Sequence, residues 1–434
     1  MQAQVENTGA LEKSLDIAVA LDELEADVEQ RLKRLARTVK MQGFRPGKVP
    51  LKVVAQQYGP QVRQEALGDA VQRAFAEAVT EQKLRVAGYP RIEPKEGSGE
   101  GSMAFSAVFE VYPEVVVGDL AGTTIERPNV VVGDAEVDKT VEVLRKQRVR
   151  YEPADRAAAE GDQVEIDFRG TLNGEEFQGG QGKGARLVLG EGRWLKDFET
   201  AVAGMKVGES KSFDMTFPED YHAKELAGKQ VTFEVTLNKV SAAVLPEVDA
   251  DFAKSLGVDS GDLATMREEI KANLEREVKK RIQARVKEQA MEKLIEVTQF
   301  ELPKALLEME TRNLMQRALQ DLQARGVQMD ASSFLRPELF EDQATRRVKL
   351  GLIMAELIEK HELSAKPEQV KSMVDEHAQS FEKPEEVVKW IYSKPEHLDE
   401  IQTLVMEDNV VAWVLERAKV ADKSMAFDEL MGNA

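Results

Sequence analysis

Apolar residues alternate with polar ones near the start of the chain and then recur every three or four positions. In "LEKSLDIAVA", residues 11–20, the alternation places Leu15, Ile17 and Val19 on one face, which predicts a half-buried strand. The next segment has a single apolar stripe, which predicts a helix of about 20 residues. The stripe consists of Leu21, Leu24, Val28, Leu32, Leu35 and Val39. We expect Gly43 to end this helix, because glycine enters the left-handed conformation at little cost.

A loop with two glycines and two prolines follows in "QGFRPGKVPL", residues 42–51. Pro46-Gly47 suits the centre of a type II turn, and Pro50 suits the first turn of the next helix, "PLKVVAQQYG". An aromatic side chain and two cations therefore flank a rigid tip, namely Phe44, Arg45 and Lys48. Two interpretations stay open from the residues alone. Phe44 packs under the loop beside solvated cations, or it anchors a tip that docks on a phosphate-rich surface.

Short alternating segments replace the helical stripes between residues 149 and 242. "VEIDFRGTLNGEEF" places Val164, Ile166 and Phe168 on one strand face and then gives Asn173-Gly174 as a hairpin turn. Two further segments alternate likewise, through Phe213, Met215 and Phe217 and through Val231, Phe233, Val235 and Leu237. A short helix in "RWLKDFETAV" has one apolar face, formed by Trp194, Leu195, Phe198 and Val202. The pattern predicts a small antiparallel sheet wrapped on one helix.

The pattern is helical almost throughout from Met266 onward. Five prolines each precede a helical stretch, as expected of first-turn residues: Pro303, Pro337, Pro367, Pro384 and Pro395. In the first long helix the apolar stripe recurs every fourth residue from Met266 to Leu294, so it winds around the helix and its two ends should face different neighbours. Residues 113–148 have no core of their own. We expect them to pack with the helical region, which makes residues 149–242 an insertion.

The length and composition set broad limits. A chain of 434 residues is long enough for two to four domains. The absence of cysteine excludes disulfides, thiol nucleophiles and cysteine-ligated zinc, and it suits a reducing compartment. The start "MQAQVENTGA" lacks the basic and apolar regions of a signal peptide, and no later stretch approaches the roughly 20 apolar residues of a membrane span. We therefore expect a cytoplasmic protein with no membrane partner.

The charge is unevenly distributed. A net charge of −19 argues against general nucleic-acid binding. Residues 1–29 carry eight acids and one base, whereas residues 30–64 carry nine bases and no acid. The docking interpretation of the loop therefore places it on a local basic face of an acidic molecule. The four histidines show no ligand-like clustering, so we expect no metal site and no cofactor.

The segment "GFRPGKVP", set in a strand, long helix, loop and helix, resembles the ribosome-binding signature of the bacterial trigger factor family. The resemblance favours the docking interpretation. It implies that Phe44, Arg45 and Lys48 bind the ribosome, at a large-subunit protein and rRNA near the tunnel exit. It leaves a homodimer away from the ribosome open.

The motifs "DFRGTLNGEEF", "LVLGEGRWLKDFE" and "FPEDYHA" resemble the FK506-binding class of peptidyl-prolyl isomerases. The resemblance implies a substrate pocket whose floor is Phe198. Its other members are the aromatics Phe168, Phe177, Tyr221 and Phe233, with Trp194 and Leu195 as wall and backbone donor region. Two positions depart from the family pattern, because Gln178 replaces a common pocket carboxylate and Asp197 replaces a glycine before the floor residue.

The isomerisation needs no acid–base pair, since rotation about an X-Pro amide breaks no covalent bond and the barrier of about 18–20 kcal/mol comes from lost resonance. Without the resemblance, the favoured explanation of the same aromatics is that they form the core of a small domain. The glycine-rich "QGGQGKGA" lacks the GK[ST] ending and the helix of a phosphate-binding loop, so we expect a flexible surface loop there.

The resemblance to the trigger factor family covers essentially the whole chain and implies a multidomain α+β fold. The expected parts are an N-terminal α+β ribosome-docking domain (1–112), a connecting segment packed with the helical domain (113–148), an inserted FK506-binding-type antiparallel β-sheet domain with a short helix (149–242) and a mainly α-helical chaperone domain with extended arms (243–434). The implied function is an ATP-independent chaperone that docks at the ribosomal exit tunnel, binds nascent or unfolded polypeptides and catalyses cis–trans isomerisation of X-Pro bonds.

Two other functions stay open. One is a stand-alone prolyl isomerase that acts on folded or partly folded proteins without ribosome docking. The other is an RNA-binding protein that uses the basic face of residues 30–64. Methionines in the helical region suit a surface that accommodates many apolar partners, although filling gaps in a core explains them equally well. They include Met309, Met315, Met354, Met373 and Met406.

Overall fold

The protein is represented by a computed structural model that describes residues 5–42, 44, 47–95, 101–219, 221, 223–325, 336–381 and 383–432. It divides into two compact units. The first consists of Met1–Arg127 and Gln283–Lys423, and the second of Pro128–Ile282 and Ser424–Ala434. Each unit is therefore built from segments that are distant in sequence.

Strands and helices follow in one chain order through both units. The strands are β1 (Val5–Asn7), β2 (Glu12–Ala20), β3 (Val86–Pro94), β4 (Ser102–Val111), β5 (Thr124–Asn129), β6 (Arg150–Pro153), β7 (Gln163–Leu172), β8 (Glu175–Val188), β9 (Ser210–Thr216), β10 (Gln230–Val244) and β11 (Lys419–Ser424). The helices are α1 (Leu21–Thr38), α2 (Leu51–Glu81), α3 (Asp134–Gln147), α4 (Lys196–Val202), α5 (Ala250–Ser255), α6 (Leu263–Val297), α7 (Lys304–Ala324), α8 (Glu341–His361), α9 (Pro367–Ala378), α10 (Pro384–Ser393), α11 (Pro395–Leu415) and α12 (Phe427–Met431). A 3-10 turn, Pro337–Leu339, precedes α8.

The N-terminal part of the first unit is an antiparallel sheet in the order β1-β2-β4-β3, with α1 and α2 packed on it. The predicted strand face is confirmed, because Leu15, Ile17 and Val19 are all buried. They pack in one core cluster with Leu24 of α1 and Phe75 of α2. Burial of these alternate side chains fixes which face of β2 is turned toward the helices.

Helix α1 confirms the predicted stripe but not its predicted end. The helix stops at Thr38, and Val39 is already extended with φ −63° and ψ 135°. The Thr38 hydroxyl donates a hydrogen bond to the Leu35 carbonyl, which also accepts one from the Val39 N–H. Gly43 therefore does not end the helix, and Gly43 itself lies outside the described residues.

Helix α2 begins directly after Pro50, as predicted to within one residue, but it is three times longer than the ten residues expected. It continues through Pro60, which lacks the N–H for one helical hydrogen bond. The apolar residues beyond it are buried, among them Val62, Ala66 and Val71. The burial of these residues outweighs the local cost of the proline. The apolar pattern before Pro60 does not contain this information, so the sequence prediction was too short.

The prediction for the second half of the chain is confirmed at the residues where its helices begin. Pro303 is the N-cap residue of α7. The other four prolines named from the sequence stand at the first positions of their elements: Pro337 of the 3-10 turn, Pro367 of α9, Pro384 of α10 and Pro395 of α11. The winding stripe of α6 is also confirmed. Met266 and Ile270 pack with Val137 and Phe252 in the second unit, whereas the C-terminal half of α6 belongs to the first unit.

Strand β5, in the segment between the N-terminal sheet and residues 149–242, pairs with β11 in a two-stranded sheet. The Arg127 guanidinium donates from Nε and Nη2 to the two oxygens of Asp422, at 2.6 and 3.0 Å. The Glu126 N–H donates to Gln289 Oε1 of α6 at 2.9 Å. These contacts join β5 to β11 and to α6.

The second unit contains the predicted antiparallel sheet, in the order β6-β10-β7-β8, with β9 paired to β10. The Asn173-Gly174 hairpin is confirmed, since both residues have positive φ, 55° and 87°, as a type I′ turn requires. Helix α4 packs its Phe198 and Val202 against this sheet, and both are buried. The strands thereby bring aromatic residues from distant parts of the sequence around one short helix.

Candidate functional site

A cleft of about 610 Å³ opens on the sheet of residues 149–242. All seven residues that the isomerase resemblance implied line it: Phe168, Phe177, Trp194, Leu195, Phe198, Tyr221 and Phe233. Four apolar residues that were not assigned to the pocket also line it, namely Met215, Phe217, Ala223 and Leu226. Met215 and Phe217 belong to the alternating face predicted for β9, so that alternation was a usable signal for them.

Phe198 lies at the centre of the aromatic group and is only 2% exposed. Its ring centroid is 5.0 Å from that of Trp194, 5.4 Å from that of Phe233 and 6.0 Å from that of Phe168. The Phe233 and Phe168 rings meet it nearly at right angles, the edge-to-face arrangement that aromatic pairs prefer. The rings hold one another in place, and Phe198 forms the buried floor.

The other end of the cleft is closed by a second aromatic chain. Phe177 lies 6.1 Å from Phe233 and 6.3 Å from Phe217, centroid to centroid. Phe217 in turn lies 4.5 Å from Tyr221. Strands β8 and β10 supply Phe177 and Phe233, and Phe217 follows directly after β9, so the geometry of this wall depends on how the strands pair.

Glycines make room for these rings. A Cβ added to Gly170 would stand 2.6 Å from Phe233 Cε1, and one added to Gly180 would stand 3.0 Å from the Phe177 ring. Contacts closer than 3.0 Å do not occur between real side chains without movement of one partner. Aromatic rings therefore lie directly on bare backbone in this sheet, a use of strand glycine that permits close approach.

The prediction of a flexible surface loop at "QGGQGKGA" was wrong, because residues 178–185 form part of β8. Gly182 pairs with Phe168 and Gln181 with Arg169 across the ladder between β7 and β8. The glycines lower the local strand propensity, which is why the segment resembled a loop. The pairing and the Phe168 ring that covers Gly182 outweigh that propensity.

Polar groups are few at the cleft, and one of them is a backbone donor. The Leu195 N–H forms no hydrogen bond with any described residue, although Leu195 lines the cleft. Gln178 also lines it, whereas Asp197 is exposed on α4 and does not. Arg193 is the one charged residue among the described lining residues, and its Nε lies 3.1 Å from Glu191 Oε2. The cleft can thus desolvate an apolar substrate and offer it a free N–H.

The Phe44 loop lies between α1 and α2. Phe44 is 39% exposed, and its N–H donates to the Met41 carbonyl at 3.2 Å. Gly47 has φ +79°, as expected for the second central position of a type II turn. Lys48 is exposed, whereas Arg45 and Pro46 lie outside the described residues. Phe44 therefore keeps a large apolar surface in contact with solvent.

The basic face divides into paired and unpaired cations. Arg31 contacts Asp27 and Asp69 at 2.9 and 2.8 Å, and Lys33 contacts Glu29 at 2.6 Å. The hydrogen bond from Arg31 lowers the pKa of Asp27 despite the opposing effect of desolvation. Five exposed cations form no salt bridge with a described residue: Arg34, Arg37, Lys40, Lys48 and Lys52. These five cations belong to the loop and to the helix segments next to it.

Comparison with known proteins covers the chain from end to end. Family models described as "Bacterial trigger factor protein (TF)" and its C-terminus match residues 1–144 and 262–416, and one for FKBP-type peptidyl-prolyl cis-trans isomerase matches residues 154–238. The trigger factor of Aromatoleum aromaticum is 58% identical over 434 residues, which is 100% of both chains. The chain belongs to the trigger factor family. The trigger factor of Azoarcus sp. is 60% identical over 98% of this chain and 97% of its own.

The predicted family, fold class and function are thereby confirmed. The chain is a trigger factor family chaperone with an FKBP-type peptidyl-prolyl isomerase domain and a ribosome-binding N-terminal domain. The stand-alone isomerase is not favoured. A solved trigger factor chaperone aligns with 95% of this chain and 99% of its own at a TM-score of 0.49 and 18% identity. Among the described residues, no helix has the length and apolar character needed to cross a membrane.

Proposed function

We propose that the aromatic cleft is the site at which X-Pro bonds isomerise. Its substrate contacts are then Phe168, Phe177, Trp194, Leu195, Phe198, Tyr221 and Phe233. The observation that carries this proposal is the convergence of seven aromatic rings, those of the six aromatic residues just named and of Phe217, on a single cleft that Leu195 lines with its N–H unbonded to any described residue. A prolyl ring flanked by apolar residues fits such a surface better than a charged ligand does.

The chemistry follows from the character of the cleft. Water hydrogen-bonds the carbonyl of the planar amide, and a dry aromatic site removes those bonds from the ground state. As the bond twists, resonance is lost and the barrier of about 18–20 kcal/mol is reached. A fixed donor such as the Leu195 N–H can bind the carbonyl oxygen preferentially in the twisted form. No proton transfer is required, so the cleft needs no titratable group.

Residues Phe44, Arg45 and Lys48 form the proposed ribosome contact, at a large-subunit protein and rRNA near the tunnel exit. The half-exposed Phe44 ring supplies an apolar anchor, and the unpaired cations around it complement phosphate charge. Cytoplasmic localisation is part of the same proposal. So is a homodimer away from the ribosome, which analytical ultracentrifugation would detect.

The division of labour follows the ranges expected from the sequence: ribosome docking in 1–112, connection in 113–148, isomerisation in 149–242 and binding of unfolded polypeptides in 243–434. Exposed large apolar side chains in the last range supply weak, sequence-tolerant contacts. They include Met309, Leu339, Phe381, Trp390, Tyr392 and Leu404.

Catalysis of a proline-limited refolding reaction tests the cleft. Phe198→Leu and Phe233→Leu keep the core apolar but remove a ring, and each should lower the catalytic efficiency at least tenfold. Gln178→Ala should lower it much less, because the mechanism relies on the aromatic surface and not on that amide. Circular dichroism checks that the three variants fold. Equal losses at all three positions, with intact folding, would contradict the proposed mechanism.

A further inference from the structure

The carboxylate of Glu199 lies beneath the loop that carries Trp194. Glu199 follows Phe198 on α4 and is only 8% exposed. Its Oε2 accepts a hydrogen bond from the Gly190 N–H at 2.9 Å, and its Oε1 accepts one from the Trp194 N–H at 3.3 Å. One buried carboxylate therefore joins both ends of the loop of residues 190–194 to the helix that forms the floor of the cleft.

The backbone of this loop makes few other hydrogen bonds. Gly190 and Gly192 both have positive φ, 91° and 69°, which leaves the segment without the steric restraints of ordinary residues. Among the described residues, Gly190 and Trp194 are the only members of the loop whose N–H groups form hydrogen bonds. The two contacts with Glu199 are thus the main polar restraint on the path of the loop.

The carboxylate has no cation partner among the described residues. A buried charge is costly unless hydrogen bonds satisfy it, and here backbone N–H groups do so. A neutral apolar residue would fill the same volume in the core without that cost. The position of the two acceptor oxygens, one at each end of the loop, gives the charge a use that an apolar residue cannot supply.

We infer that Glu199 is a positioning residue for the isomerase. It fixes Trp194 against the Phe198 ring and orients the next residue, Leu195, whose N–H is free to meet the substrate carbonyl. This inference rests on the proposed function of the cleft. Glu199 does not touch the substrate and acts only through Trp194 and Leu195.

Substitution of Glu199 in the full chain tests the inference. Glu199→Gln keeps the shape but presents an amide N–H₂ to one of the two backbone donors, so one contact is lost. Its kcat/KM for an X-Pro peptide should fall about tenfold, with the loss mainly in kcat, since the apolar surface that binds the peptide is retained. Glu209→Gln is the matched control, because Glu209 also accepts a backbone N–H, that of Lys206, but is exposed and does not line the cleft. That control should keep the wild-type kcat/KM.

A spectroscopic readout separates positioning from a purely structural role. In a Trp390→Phe, Trp413→Phe background only Trp194 remains, so emission reports the loop alone. Glu199→Gln should shift that emission at temperatures where circular dichroism shows the chain to be folded, and Glu209→Gln should not. Folded Glu199→Gln with wild-type emission and kcat would overturn the inference. A loss that only follows the unfolded fraction would overturn it too.

The same assay distinguishes this inference from the proposed function. If Phe198→Leu abolishes turnover while Glu199→Gln does not alter it, only the positioning role fails. If Phe198→Leu also leaves turnover unchanged, the cleft is not the isomerase site and both fail. Glu199→Ala removes both contacts and should lower kcat further than Glu199→Gln. Should Glu199→Ala not fold, the isosteric glutamine variant decides the question.

Discussion

The Phe168 ring lies against the backbone of Gly182, so closely that a Cβ on Gly182 would stand 2.4 Å from Phe168 Cε1. The two residues face each other across the ladder between β7 and β8. Phe168 also touches Trp194, with ring centroids 5.2 Å apart. A bare glycine on one strand thus sets the position of a ring that lines the cleft.

Gly182→Ala should therefore disturb the cleft more than the addition of a single methyl group suggests. The added methyl group must displace the Phe168 ring, and overpacking of this kind costs about 1–3 kcal/mol. Peptide isomerisation should fall several-fold, and the double variant Gly182→Ala, Phe168→Leu should recover stability by relieving the clash. Gly68→Ala is the control, because nothing lies within 4 Å of a Cβ there and alanine favours helix. Full activity in Gly182→Ala would show that Phe168 is not held by this contact.

Replacing Phe44, Arg45 and Lys48 together with alanine should reduce co-sedimentation with ribosomes more than tenfold at physiological salt. Melting temperature and circular dichroism should be nearly unchanged, since surface substitutions seldom alter stability by more than about 0.5 kcal/mol. The control replaces Tyr89, Arg91 and Lys95 with alanine, which likewise removes one exposed aromatic and two exposed cations, here on or beside β3 of the same part of the chain. If both triple variants bind ribosomes equally well, Phe44, Arg45 and Lys48 do not form the ribosome contact.

Asp162 makes the stability of the isomerase domain depend on pH. This carboxylate is 3% exposed and accepts hydrogen bonds from both terminal nitrogens of Arg156 and from the Ala159 N–H. Burial raises the pKa of Asp162, but these hydrogen bonds outweigh it and hold the pKa below the ordinary value of 3.8. Because the folded-state pKa is the lower one, the carboxylate stabilises the fold above about pH 4, and this contribution is lost as the pH falls through the folded-state pKa.

Asp162→Asn should accordingly lower the free energy of unfolding by about 1–3 kcal/mol at pH 7. The difference from the wild-type chain should narrow as the pH falls below 4. Urea unfolding followed by Trp194 emission, in the background without Trp390 and Trp413, measures this domain alone. A difference that stays constant from pH 7 to pH 3 would mean that the charge of Asp162 is not responsible.

Sequence patterns predicted the helices and strands in which buried residues recur periodically. They failed where contacts with residues distant in sequence determine the local structure. The alternation of β2 and the stripe of α6 were sufficient, because one face of each is buried and the other is not. The glycine-rich part of β8 and the continuation of α2 past Pro60 were missed, since each is stabilised by packing that local propensity does not contain. The role of Glu199 was missed for the same reason, as its partners are backbone groups.

Seven residues of the cleft could be predicted, whereas four other apolar lining residues and the geometry of the cleft could not. The resemblance to the isomerase family supplied all seven residues, because aromatic positions recur within recognisable motifs. Their arrangement depends on strand register, for example on Phe233 standing opposite Gly170. The departures at Gln178 and Asp197 also became interpretable only in the structure, where the first lines the cleft and the second does not.

The most direct test of the account is whether isomerase and chaperone activities separate in one variant. Full-length Phe198→Leu is added to a diluted denatured client without ATP, and light scattering is recorded beside the rate of a proline-limited refolding reaction. The account predicts that the refolding catalysis falls at least tenfold while suppression of aggregation stays at the wild-type level, because broad apolar contacts outside the cleft hold the client. Loss of aggregation suppression together with the isomerase activity, in a variant that remains folded, would contradict it.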